Sequence, residues 1–244
     1  MTYCVAMSTD KGLIFMSDTR TNAGIDNISS FRKMHTWSVP GERVITVMTA
    51  GNLATTQAVV SVLDERTKAT SDRHPSLLEA PSMFQVARHV GETLREVVEQ
   101  YKGEGQSQSD RVFNATMIVG GQVKGGKPRL FLVYPEGNFI EASADTPFFQ
   151  IGETKYGKPI LVRAYDPTMS FEDAVKLTLV SFNSTLKANL SVGLPFDLQV
   201  YEKDSLQTGP ESRIHASDPY YQEVSEGWGD ALSKALDSLP DFKF

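Results

Sequence analysis

Apolar residues come in short unbroken runs near the start of the chain and at helical spacing further along, and the two patterns lay out its elements. Met1 to Met7 is almost wholly apolar and reads as a strand; Gly12 to Asp18 is a second such run. The turn Asp10-Lys11-Gly12 between them makes the pair a β-hairpin. Phe31 to Trp37 predicts a third strand with Lys33 inside it, and Val44 to Thr49 a buried fourth after the Pro40-Gly41 turn. From about Leu53 to Arg66, the residues Ala54, Ala58, Val59, Val62 and Leu63 recur at helical spacing. A second helix is predicted from about Met83 to Tyr101, with Ser82 as its N-cap and Gln85 completing a capping box. Gly103 to Ser109 reads as a loop too short and local to be a domain linker.

Strands return at Asn114 to Gly120, Arg129 to Tyr134, Asn138 to Ala142 and Phe148 to Ile151. The Gly120-Gly121 and Gly125-Gly126 pairs lack the spacing of phosphate-binding and dinucleotide-binding loops and predict a hairpin turn. A third helix is expected from about Tyr156 to Arg163. A fourth spans Phe171 to Ala188, capped by Ser170 with Asp173 three residues on. The fourth carries Ala174, Val175, Leu177, Leu179, Val180 and Phe182, a stripe broad enough to be covered on two sides. Phe196 to Tyr201 is again a strand. This order of elements implies an α/β or α+β fold. Residues 1–208 read as one domain and 209–244 as a C-terminal extension. The extension holds Tyr220, Tyr221, Trp228 and Phe242, with an amphipathic stretch from about Tyr221 to Leu239. Such a segment packs on its own domain or on a neighbouring subunit, and the neighbour is favoured.

With 244 residues, 40% of them hydrophobic, the chain can bury a sizeable core. A net charge of −6, with Lys and Arg dispersed, argues against nucleic acid as a partner. The single cysteine, Cys4, excludes an internal disulfide framework and fits a reducing, cytoplasmic compartment; on its strand it reads as a core residue. No run approaches the roughly 20 apolar residues of a membrane helix, and no basic segment precedes an apolar one at the start, so neither membrane nor signal peptide is expected. His35, His74, His89 and His215 are scattered without metal-ligand spacing, so no metal and no cofactor is expected.

The chemistry begins at Thr2. Thr is small enough for an aminopeptidase to remove the preceding Met, which leaves a hydroxyl and a free α-amine on one residue: a nucleophile with its own general base. The hairpin returns Asp18 to the side of Thr2, and Lys33 follows one strand later. Singly, these are a second residue, a turn residue and a strand-face lysine; together they form a relay. An α-amine has a reference pKa of about 7.7–8.0, and a nearby ammonium favours its neutral form. Lys33 would supply that charge and Asp18 would hold Lys33 charged and oriented, so that the amine could take the hydroxyl proton and later return it to the leaving group.

Leu13 to Arg20 and Phe31-Arg32-Lys33, with the opening strand, resemble the start of a proteasome β-subunit. Thr21-Asn22-Ala23-Gly24, and a Thr directly after the initiator Met, are similar to the Anbu (ancestral β-subunit) branch, and the resemblance runs from Thr2 to about Tyr201. It implies a four-layer αββα sandwich of the N-terminal-nucleophile hydrolase type, with Thr2, Asp18 and Lys33 as catalytic residues and Gly51 as the oxyanion donor. Thr21, Thr49 and Asn52 would line the substrate groove, with Arg20 in support. The sequence departs from the family pattern in carrying Glu153 after Gly152, Asn189 in place of an Asp, and Val192 at the usual Ser position, with Ser191 one residue away. In the family these groups hold the N-terminal amine; here Asn189 and Ser191 would support it, and Glu153 could read a basic group on a substrate. The resemblance also implies a homo-oligomeric ring or open helix. The expected activity is hydrolysis of peptide or other amide bonds through an acyl-enzyme on Thr2. Acyl transfer to an amine, and a non-catalytic self-assembling scaffold that keeps Met1, are the alternatives. The sequence identifies neither the substrate nor a regulatory ATPase.

Overall fold

A computed structural model describes residues 2–22, 28–68, 76–102 and 113–244. Met1, the Ala23-Gly24 end of the Thr21–Gly24 motif and the Gly103–Ser109 loop lie outside the described residues. In chain order, β1 (Tyr3–Thr9) and β2 (Gly12–Asp18) form the expected hairpin, and β3 (Arg20–Asn22) and β4 (Ile28–Ser30) pair as a short ribbon. β5 (Met34–Val39) and β6 (Arg43–Gly51) precede α1 (Leu53–Lys68) and α2 (Met83–Lys102). Then come β7 (Ala115–Val123), β8 (Arg129–Val133), β9 (Phe139–Glu141) and β10 (Phe148–Gly152), followed by α3 (Lys158–Ala164) and α4 (Phe171–Ala188). β11 (Phe196–Glu202), β12 (Glu211–Ile214) and α5 (Pro219–Asp237) complete the described elements.

Two five-stranded antiparallel sheets, ordered β10-β1-β2-β11-β12 and β5-β6-β7-β8-β9, stack face to face. α1 and α2 cover the second sheet, α3 and α4 the first, which gives the four-layer αββα sandwich. The layers explain why β1 and β2 are continuous apolar runs: both faces of their sheet are covered. Tyr3, Val5, Met7, Ile14 and Met16 point into the core under α3 and α4. Cys4, Ala6, Leu13 and Phe15 point the other way, into the core between the sheets, where they meet Met48, Ile118 and Leu130. A third core lies between the second sheet and α1 and α2, around Val47, Val59, Val90, Leu94 and Val119.

Several expectations are corrected. Lys33 is not within a strand but directly before β5, where its carbonyl accepts the Thr49 N–H at 2.9 Å. Of the apolar stripe of α1, Val59 and Leu63 are buried, but Thr55 and Thr56 join them on the buried face and Ala54 is exposed. The two threonines can be buried because their hydroxyls donate to the carbonyls of Phe113 and Leu53, at 2.9 and 3.0 Å. The expected hairpin turn falls at Lys124–Gly126, between β7 and β8, whereas Gly120-Gly121 lies inside β7; the Phe15 ring from the facing sheet occupies the space a side chain at Gly120 would need. β12 was not expected, since only Ile214 of its residues is buried. The fourth helix has the expected bounds, and Ser170 accepts the N–H of Asp173. It is covered on more than one side, by the first sheet, α3 and the start of α5.

Tyr3 ties β1 to its neighbours. Its hydroxyl lies 2.7 Å from Ser181 Oγ and accepts from Gln150 Nε2 at 2.6 Å, while its ring packs on Phe182 with centroids 4.5 Å apart. Burial pushes the phenol up to about 12. The Tyr3→Phe variant strands the buried Ser181 hydroxyl and the half-buried Gln150 amide, so urea denaturation is expected to show a loss of roughly 1–3 kcal/mol. The sign of the pH effect follows from linkage. Between an unfolded pKa near 10 and the native value of about 12 the native state keeps the proton, so stability falls as pH rises through that window. Tyr3→Phe should make this alkaline decline shallower in denaturation midpoints measured from pH 9 to 12. Cys4 is fully buried, and burial lifts its thiol far above the usual range. Iodoacetamide is therefore expected to leave Cys4 unmodified in native protein and to alkylate it in urea.

Candidate active site

Asp18 closes β2 and has no exposed surface. Its Oδ1 accepts the Tyr3 N–H at 3.0 Å and Lys33 Nζ at 2.7 Å, and its Oδ2 accepts the Gly193 N–H at 3.3 Å. Burial pushes the Asp18 carboxyl up; the Lys33 ammonium and the two backbone N–H groups pull the other way. Lys33, 4% exposed, also donates to the Arg20 carbonyl at 2.5 Å. The short β3–β4 ribbon places that carbonyl, with Phe31 N–H bonded to the Thr19 carbonyl at 2.9 Å. The hairpin, the ribbon and the segment entering β5 thus converge on one buried ion pair.

Thr2 lies directly before β1, buried at 9% exposure. Its carbonyl accepts the Glu153 N–H at 2.7 Å across the β1–β10 pairing. That approach requires glycine at position 152: its φ is +83°, and an added Cβ would stand 1.9 Å from the Thr2 carbonyl oxygen. Thr2, Lys33, Thr21, Thr49, Gly51 and Gly152 line one cavity of about 830 Å³, within the range of substrate pockets. Gly51 closes β6 at the mouth of α1 with φ +120°, again a backbone that side-chain-bearing residues rarely adopt.

The remaining expected residues fall in three places away from the cavity lining. Asn52 caps α1, its Oδ1 accepting the Thr55 N–H at 3.1 Å. Arg20 donates to the Leu190 carbonyl at 2.9 Å, its guanidinium passing over Gly193. Glu153, Asn189 and Ser191 form one polar cluster behind Thr2. Asn189 Nδ2 donates to Glu153 Oε2 at 2.9 Å, and Asn189 Oδ1 accepts the Ser191 N–H at 3.0 Å and its hydroxyl at 2.5 Å. Glu153 is buried and tied to its own chain.

Sequence reasoning missed part of the cavity wall: Phe31, Arg32 and His35 from the segment entering β5, and Thr56 and Gln57 from the first turns of α1. Their nearness to Lys33 and Gly51 in sequence was the available signal. It also missed the Gly193 N–H, which as a backbone donor leaves no side-chain signature. Burial, with Arg32 nearby, holds the His35 imidazole below the usual histidine range, so the ring is neutral at pH 7. A second cavity of about 660 Å³ adjoins the first across Arg32, His35, Val60 and Ser61 and contains the Arg213–Asp197 ion pair, 2.7 Å apart. Among the described residues, no group of three or more His, Cys, Asp or Glu is placed to hold a metal, and no helix is long and apolar enough to cross a membrane.

Comparisons with known proteins agree with the fold. The family model described as proteasome subunit matches residues 2–194. A proteasome subunit beta from Methanopyrus kandleri is 24% identical over 196 residues, 79% of this chain and 82% of that protein. Among solved structures, Anbu (ancestral beta-subunit) from Yersinia bercovieri is 46% identical with a TM-score of 0.92, and all of each chain is covered. An Anbu (Gly-1) mutant from Hyphomicrobium sp. strain MC1 is 49% identical, again over all of each chain, with a TM-score of 0.93. The helical assembly of the Anbu complex from Pseudomonas aeruginosa is 46% identical over 99% of this chain and 98% of that one, with a TM-score of 0.93. A match over most of the chain, and relatives this similar over their full length, show that this chain belongs to the proteasome subunit family, in its Anbu branch.

Proposed function

We propose that the protein is an N-terminal threonine hydrolase that cleaves peptide or other amide bonds through an acyl-enzyme on Thr2, exposed by removal of Met1, and that it works as a homo-oligomer. The observation that carries this reading is the buried Lys33–Asp18 pair, 2.7 Å apart, whose lysine lines the same cavity as Thr2. In this mechanism the α-amine of Thr2 takes the proton from its own hydroxyl as Oγ attacks the substrate carbonyl. The Lys33 ammonium favours the neutral amine by like-charge repulsion, and Asp18 is its counter-ion. The tetrahedral oxyanion is met by the Gly51 N–H. Collapse breaks the amide bond, and the leaving amine receives the proton held by the α-amine. Water then attacks the ester, and Thr2 is regenerated as the acid product leaves. The Glu153–Asn189–Ser191 cluster holds the backbone behind Thr2 and orients the amine. The helical assembly named for the Pseudomonas aeruginosa relative supports the homo-oligomeric part of the reading.

The direct test is the intact mass of untagged protein before and after an epoxyketone, which reacts with both the hydroxyl and the amine of an N-terminal threonine. Loss of Met1 and one adduct are expected, with no adduct on Thr2→Ala; a retained Met1 and no adduct would sink the proposal in favour of the scaffold. Two variants separate chemistry from folding. Thr2→Ala is expected to abolish hydrolysis while its urea midpoint stays within experimental error. Lys33→Ala is expected to abolish hydrolysis and also to cost about 3–5 kcal/mol, because it leaves the Asp18 carboxylate buried without its partner.

A further inference from the structure

The C-terminal helix is only half covered by its own protomer. In its first turns Tyr221 packs edge-on against Phe196, with centroids 5.7 Å apart, and Ser225 Oγ donates to Asn183 Oδ1 at 2.8 Å. Trp228 is still half-buried, and from Gly229 on every residue of the helix is exposed. Leu232, Leu236 and Leu239 are 50, 70 and 63% exposed, and Phe242 is 79% exposed. Trp228, Leu232 and Leu236 fall on one stripe of the helix, and Leu239 follows just beyond its C-terminus. At its end the Phe242 and Phe244 rings pack against each other at 5.1 Å and form an aromatic knob with Lys243 between them.

A receptor for such a knob lies at the opposite end of the same helix. A cavity of about 420 Å³ is walled by Phe171 and Val175 of α4, Val200 of β11, Pro210 and Tyr220, with Glu172 and Glu202 at its rim. Its walls are apolar and its rim acidic, which complements two aromatic rings flanking a lysine. The tail of the same protomer does not fill it: Phe242 is 79% exposed and Phe244 is fully exposed, beyond the far end of the helix that begins at the cavity.

We propose that the Phe242-Lys243-Phe244 end of one protomer seats in the α4–β11–Tyr220 cavity of a second copy. The two contact surfaces differ, so the contact is heterologous and propagates from copy to copy, closing into a ring or winding into a spiral according to its rotation. The area is of the right order. Two phenylalanines bury roughly 300–500 Å², and the leucine stripe adds to this toward the roughly 800 Å² per partner of a stable interface. This inference rests on the homo-oligomeric reading above and is independent of the peptidase chemistry.

The test uses the full chain, with Cys4 buried and silent. Phe242→Cys protein is mixed with Val175→Cys protein under mild oxidation, and the disulfide products are identified by mass. A mixed disulfide that neither variant gives alone is expected. In sedimentation velocity the double variant Phe242→Ala/Phe244→Ala and the cavity variant Val175→Glu should each associate roughly tenfold or more weakly than the unsubstituted protein, with unchanged far-ultraviolet circular dichroism. An unsubstituted protein that assembles, gives no mixed disulfide and is matched in assembly by the tail variant would overturn the contact. Tail-to-tail disulfides alone would overturn it in favour of a symmetric tail pairing. An unsubstituted protein that sediments as a monomer would remove the homo-oligomeric reading itself, and the contact with it.

Discussion

Everything near the start of this chain depends on burying one carboxylate. Asp18 has no exposed surface, and an isolated carboxylate in such surroundings costs many kcal/mol unless it is paired and hydrogen-bonded. Its partners come from distant parts of the sequence: Tyr3 and Lys33 on either side, and Gly193, which lies 175 positions away. The ion pair therefore forms only when the hairpin, the β3–β4 ribbon and the loop after α4 are all in place. The same condition places Thr2, because the Tyr3 N–H that Asp18 accepts belongs to the next residue. Folding and assembly of the site are one event at this point in the molecule.

How much of this was legible in the sequence follows from what each residue type can signal. β1 and β2 were readable because a sheet covered on both faces needs unbroken apolar runs. Ser170 and Asp173 announced the start of α4 through a cap that uses side chains. The buried face of α1 was read only in part, at Val59 and Leu63, because Thr55 and Thr56 look polar until their hydroxyls are matched to carbonyls. β12 escaped notice because an exposed edge strand, Glu-Ser-Arg-Ile, has little reason to be apolar. In the site, Asp18 could be foreseen from hairpin geometry, and Lys33 from its chemistry though not from its local structure. The Gly193 N–H could not be foreseen at all, since a backbone donor three-quarters of the chain away carries no pattern.

The polar cluster behind Thr2 shows what the departures from the usual proteasome pattern amount to. Asn189 is a donor to Glu153 and an acceptor for Ser191 at once, a double role that an ionised aspartate, which only accepts, could not fill. Asn189 and Glu153 are thus complementary as a pair, amide donor to carboxylate acceptor.

The pairing of β1 has an entropic consequence. The first residues of a domain are ordinarily its least ordered, and they sample many conformations on the nanosecond scale. Here the strand that follows Thr2 is flanked on both sides, by β10 and β2, and the Thr2 carbonyl is held by the Glu153 N–H. In the proposed hydrolase the freedom a free N-terminus would normally retain is surrendered during folding, and a substrate entering the cavity would meet a residue whose backbone is already fixed, so that ordering Thr2 adds nothing to the cost of bringing the two together.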